Sequence, residues 1–202
     1  MKTRKRHRTR ISSPLEWQMM AAPVPAPSVP VLAERGGTQL KTPKPVLLVG
    51  TREQNPMDCS RFAGWFPGIE KRALVLGDYS IAGLETACVV EGKDLPALVH
   101  SLTADRSVFL ARLRRMAGYP HRLLVISAAL SQVKSPYPFS GADPSHILQS
   151  LIAVLAGTSV PFLCTETHSL AEEIVAAYLY QVHVYHWLEG NDFGPFLVDN
   201  DL

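Results

Sequence analysis

Five ionisable side chains define the chemistry open to this chain: Arg52, Glu53, Asp78, Glu91 and Lys93. They follow or end short apolar runs in VLLVGTREQNP and KRALVLGDYSIAGLETACVVEGKD. Carboxylates at neighbouring strand ends make an oxygen-rich site suited to Mg²⁺ or Mn²⁺. Asp78 and Glu91, aided by Glu53, are the candidate metal ligands. An ion there would activate water and stabilise charge developing on a phosphodiester. Lys93 lies two residues beyond Glu91, so both side chains leave one face of a continued strand. Its ammonium would orient water or neutralise a phosphate oxygen. The plain alternative makes Asp78 a turn former after Gly77, and Glu91 and Lys93 solvated strand-end residues.

The elements that must position these groups are short. Residues 46–49 are apolar on both faces, as in a buried strand. Residues 59–66 suit a helix capped by Asp58, with Phe62, Trp65 and Phe66 on one side. Pro67 and Gly68 stop it. Strands over 69–76, 79–81 and 87–91 are predicted to form an antiparallel meander. A helix over 95–102 follows, then one capped by Thr103 and running to Met116. The second has an apolar stripe of Val108, Phe109, Leu110, Leu113 and Met116 and a basic side of Arg106, Arg112, Arg114 and Arg115. Residues 121–128 form an apolar strand, 130–144 a loop and 145–156 a helix. A strand over 159–164 leads to a last helix capped by Thr167 and reaching about residue 186. Strands and helices in this order predict an α/β fold around a central mixed sheet.

Composition narrows the class. The 202 residues are 47% hydrophobic and 19% charged, which suits one compact domain with flanks. Residues 1–44 read as a basic, Pro-rich disordered tail, 45–188 as the domain and 189–202 as a C-terminal tail. Residues 1–10 hold six of the 20 basic side chains; the rest carries 14 basic against 18 acidic, a net of −4. The arm can therefore hold phosphate, while the body shows no overall basic balance. Cys59, Cys88 and Cys164 have neither disulfide nor zinc spacing. His183 and His186 share a helix face but lack further ligands at matching spacing. No apolar run is long enough to span a bilayer. An intracellular protein, nuclear or cytoplasmic, is expected.

The ordered segments TREQNP, RFAGWF, KRALVLGDYSIAGLE, VVEGKDLPALVHSLTADRSVFLARLRRM and LLVIS resemble the nuclease domain of XPF-type structure-specific endonucleases. The resemblance covers about residues 46–186. It implies a restriction-endonuclease-like three-layer core, Mg²⁺ or Mn²⁺ as cofactor, and cleavage of one DNA strand near a junction, flap or bubble. It also implies pairing, as a homo- or heterodimer. Its Gly-Asp motif falls on Gly77 and Asp78, its Glu-Arg-Lys motif on Glu91, Gly92 and Lys93, and its Arg-Glu pair on Arg52 and Glu53. The basic arm, Arg52, Arg61 and the helix from Arg106 to Arg115 become candidate DNA contacts.

Three positions depart from that pattern. Gly50 stands where an Asp is usual, Gly92 where an Arg is usual, and Ala97 where another Asp is usual. Two carboxylates and a guanidinium are missing, with Asp94 a partial substitute. Both a metal-dependent endonuclease and a weakened or inactive domain that binds DNA or supports a catalytic partner follow from this reading.

Overall fold

The computed structural model describes residues 42–53, 56, 57 and 59–191. Its strands are β1 (Leu47–Gly50), β2 (Ile69–Arg72), β3 (Tyr79–Ile81), β4 (Cys88–Lys93), β5 (His121–Ile126) and β6 (Phe162–Cys164). They form one mixed sheet in the order β2-β1-β3-β4-β5-β6. The α/β class and the three-layer, restriction-endonuclease-like core are as the sequence predicts.

The predicted meander needs correction. β1–β3 and β3–β4 are antiparallel, but β2 pairs with β1 in parallel and not with β3. A parallel neighbour requires a crossover, and residues 51–68, with a 3-10 turn at Cys59–Phe62, supply it. β2 is exposed at all four positions, as befits a polar edge strand. It stops at Arg72; the following residues turn towards Gly77 instead of extending the strand to residue 76.

Alternation along the central strands builds the two cores. Leu47, Val49, Tyr79, Ile81, Val90, Leu123 and Val125 pack on one side with Phe62, Trp65 and Phe66. That layer is closed by α5 (His168–Gly190), the long last helix. Tyr180 meets Trp65 and Phe66 edge-on at 5.8 and 6.2 Å. Val89, Leu124 and Ile126 face the other side. There they meet α1 (Leu95–Leu102), α2 (Arg106–Met116), the single turn α3 (Leu130–Val133) and α4 (Pro144–Thr158). The turn α3 lies within the span predicted as loop.

Caps explain most helix starts. Asp94 accepts from the Ala97 amide at 2.7 Å, and Thr167 from the Leu170 amide at 3.2 Å. Thr103 does not begin α2. It closes α1, donating its hydroxyl to the Val99 carbonyl at 2.7 Å, and Asp105 precedes α2. With that start, Phe109, Leu113 and Met116 face the core, whereas Val108 is 64% exposed. The expected Asp58 cap, most of the basic tail and residues 192–202 lie outside the described residues. Among the described residues no helix is long and apolar enough to cross a membrane.

Candidate functional site

The turn into β3 sets the first acid. Gly77 has φ +75, and a Cβ there would lie 2.4 Å from Val89 Cγ2 and 2.8 Å from the Val90 carbonyl oxygen. Glycine alone fits this conformation and space. The close approach lets the Asp78 amide donate to the Val90 carbonyl at 2.8 Å. The Asp78 carboxylate accepts from the Gly92 amide at 2.9 Å. Burial pushes its pKa up to about 7, and the charges of Glu91 and Glu53 push the same way; the Gly92 amide and Lys93 oppose them. Glu53, Glu91 and Lys93 thus all act electrostatically on Asp78.

The second acid sits on β4. Val89 faces the α2 side, so Glu91 and Lys93 follow on that side by alternation. Glu91 is fully buried. Its Oε1 accepts from Lys93 Nζ at 3.0 Å and from Arg112 Nη1 at 2.6 Å. Its Oε2 has no hydrogen-bond partner. Lys93 also lies over the Phe109 ring, 5.8 Å from the centroid. Burial works against the Arg112 charge, but Glu91 and then Asp78 more than offset it and raise its pKa.

The pairing of Arg112 with Glu91 is what sequence reasoning missed. Arg112 belonged to the basic side of α2, with no partner inside the fold. Its spacing held a signal: Phe109 and Met116, three before and four after, are both buried, so Arg112 borders the packed face.

A cleft of about 260 Å³ opens beside these groups, lined by Arg52, Glu53, Met57, Tyr79, Gly92, Lys93, Asp94, Ala97, Ser127 and His168. Asp78 and Glu91 do not line it. His168 enters from the start of α5 and faces Glu172 at 3.5 Å. The Tyr79 hydroxyl accepts from the Met57 amide at 2.9 Å.

The arginines expected to touch substrate are largely occupied within the fold. Arg52 donates to the Leu74 carbonyl at 2.8 Å and so pins the turn after β2 while still lining the cleft. Arg61 donates to Ser169 Oγ and lies over the Phe62 ring, tying the 3-10 turn to α5. Arg106 donates to Ser150 Oγ at 2.9 Å and joins α2 to α4. Asp94, the partial substitute for a missing acid, uses a carboxylate oxygen to cap α1.

These residues do not fit the Mg²⁺ or Mn²⁺ site expected of them. Among the described residues no three His, Cys, Asp or Glu side chains converge as a cation site. Asp78, Glu91 and Glu53, the expected ligands, are all described and do not make such a group. Gly50 supplies no carboxylate, Asp78 serves the Gly92 amide, and Glu91 serves two cations. The paired His183 is likewise taken: its Nε2 bonds the Pro43 carbonyl at 2.7 Å. None of the three cysteines is in a disulfide, and Cys59 and Cys88 are buried.

The mixed sheet and its flanking helices define a three-layer, restriction-endonuclease-like α/β core. No family model matches the chain, and no curated protein matches it. Among solved structures it is similar to XPF from Aeropyrum pernix, at 16% identity and a TM-score of 0.54 over 68% of this chain. It is similar also to XPF from Aeropyrum pernix in complex with DNA, at 17% identity and a TM-score of 0.54 over 70% of this chain. The chain spans 61% and 66% of the length of those two. At such identities the shared property is the fold.

Proposed function

We propose that this chain is a non-cleaving domain of the XPF nuclease type, which binds DNA and supports a catalytic partner. One observation carries the reading: Glu91 is fully buried, and its bonded oxygen is held by both Lys93 and Arg112. A carboxylate neutralised twice from within the fold is a poor ligand for a divalent ion. Three further features support a binding role. The cleft presents Arg52 and Lys93, Arg114 and Arg115 are exposed on α2, and the first ten residues carry six basic side chains. One of the similar structures is an XPF–DNA complex. The partner role rests on the β6 edge of the sheet. Leu163 of β6 is 47% exposed, and α4, which leads into it, exposes Ile152 and Leu155.

The test is a cleavage and binding assay on labelled flap, fork and duplex DNA with Mg²⁺ or Mn²⁺. Binding without cutting is expected. Metal-dependent cutting that disappears in both Asp78→Ala and Glu91→Ala would overturn the proposal.

A weakened endonuclease is the second reading. The observation in its favour is that the Glu91 and Glu53 charges both act on Asp78, so the acids remain neighbours. In that reading Asp78, Glu91 and Glu53 hold the ion, Lys93 positions water, and Arg52 contacts the substrate.

A further inference from the structure

Glu91 is unevenly satisfied. Both of its cationic partners converge on Oε1, at 3.0 and 2.6 Å, while the buried Oε2 is left with none. The two partners differ in origin. Lys93 shares the strand with Glu91, whereas Arg112 reaches across from α2, 21 residues away in sequence. Their exposure differs too: the Arg112 side chain is 38% exposed and the Lys93 side chain 17%. The guanidinium is permanently charged and can leave the site only by moving.

We propose that the Arg112 guanidinium is the resident counter-cation of this site and that it and a divalent ion exclude each other at Glu91. An ion approaching the free Oε2 meets two positive charges already held on the neighbouring oxygen, and like charges at such range repel strongly in a partly buried site. With Arg112 in place, Glu91 is neutralised without metal. With Arg112 displaced, Lys93 remains of the two cationic partners on Glu91, and an added cation meets one positive charge there in place of two. The exposed side of Arg112 gives it a route outwards, and a DNA phosphate is the kind of anion that would compete for its planar fork. This deepens the non-cleaving reading and rests on the same site.

The test is Mn²⁺ titration of the full chain, with free ion read by electron paramagnetic resonance. Arg112→Gln is expected to bind Mn²⁺ at least about tenfold more tightly than wild type. The double variant with Glu91→Gln is expected to lose that gain. Equal affinities for wild type and Arg112→Gln, or a gain that survives Glu91→Gln, would overturn the proposal. A second measurement needs no variant and covers the case in which Arg112→Gln fails to fold. In wild type titrated with Mg²⁺, the Arg112 Nε–Hε resonance and the Glu91 and Gly92 amides are expected to move together or not at all. Movement of the amides with Arg112 unchanged would overturn it. Cleavage by wild type would remove the non-cleaving reading but leave the exclusion standing if Arg112→Gln gains affinity. Equal affinities without cleavage would do the reverse.

Discussion

The Gly50 amide donates to the Asp78 carbonyl at 2.7 Å, and a Cβ added at Gly50 would lie 3.3 Å from that same oxygen. The end of β1 and the turn into β3 are therefore packed backbone to backbone. Gly50 does more than omit a carboxylate: its missing side chain lets the Asp78 turn sit where it does.

Restoring an acid at this position is therefore expected to cost stability without creating a metal site. In Gly50→Asp the new Cβ meets backbone atoms, which cannot rotate away. A loss of roughly 1–3 kcal/mol is expected, measured by urea denaturation. Mn²⁺ affinity is expected to stay at the wild-type level while Arg112 is present. By contrast, a Cβ at Gly92 would meet Met57 Cε at 3.4 Å and Tyr79 Cε2 at 3.6 Å, ordinary contacts. Gly92→Ala is expected to be tolerated within about 1 kcal/mol.

Gly77 is the least replaceable residue of the site. Gly77→Ala would force an L side chain to φ +75 and place its Cβ 2.4 Å from Val89 Cγ2. Strain and overpacking together are expected to remove roughly 2–5 kcal/mol. The check is thermal unfolding, with Gly92 amide exchange as the local readout.

Stability should fall as pH rises through neutrality, and Asp78 is the cause. Its folded pKa of about 7 lies above the ordinary 3.8, so the fold favours the protonated form. That contribution is complete below the unfolded value and is lost as pH rises through about 7. Asp78→Asn keeps an oxygen for the Gly92 amide and cannot ionise. It is expected to exceed wild type in stability at pH 8 by roughly 2 kcal/mol and to flatten the profile between pH 5 and 8. Parallel profiles for the two proteins would refute this assignment.

Arg61 is expected to behave as a structural residue. Its Nη1 donates to Ser169 and its guanidinium lies over the Phe62 ring, while its Nη2 is buried without a hydrogen-bond partner. Arg61→Ala should lower the unfolding temperature and leave DNA affinity within about twofold. Lys93→Ala and Arg52→Ala should weaken DNA binding and lessen its salt dependence. Filter binding at several salt concentrations separates the two groups.

Exposed apolar residues at the β6 edge offer a test of assembly. Leu155→Glu and Leu163→Glu replace side chains 40% and 47% exposed. Each is expected to shift sedimentation towards the monomer or to release a bound partner, with stability changed by no more than about 1 kcal/mol.

Local sequence determined the parts of the site that depend on one strand or one turn. Period-two alternation places Glu91 and Lys93 on the same side of β4, and the Gly-Asp pair marks the turn that brings Asp78 to Gly92. Apolar runs marked the central strands, and Thr167 marked the start of α5. Tertiary structure alone decided where the long cationic side chains went. Arg61 and Arg106 read as DNA contacts and Arg112 as part of the basic side of a helix, yet each bonds a residue 108, 44 or 21 positions away. Tertiary structure also chose the parallel partner of β2, since an exposed four-residue strand has no apolar face to dictate its neighbour. The reason is the same in both cases: pattern reports which face is dry, but a flexible charged side chain takes whichever counter-charge the packing brings within reach.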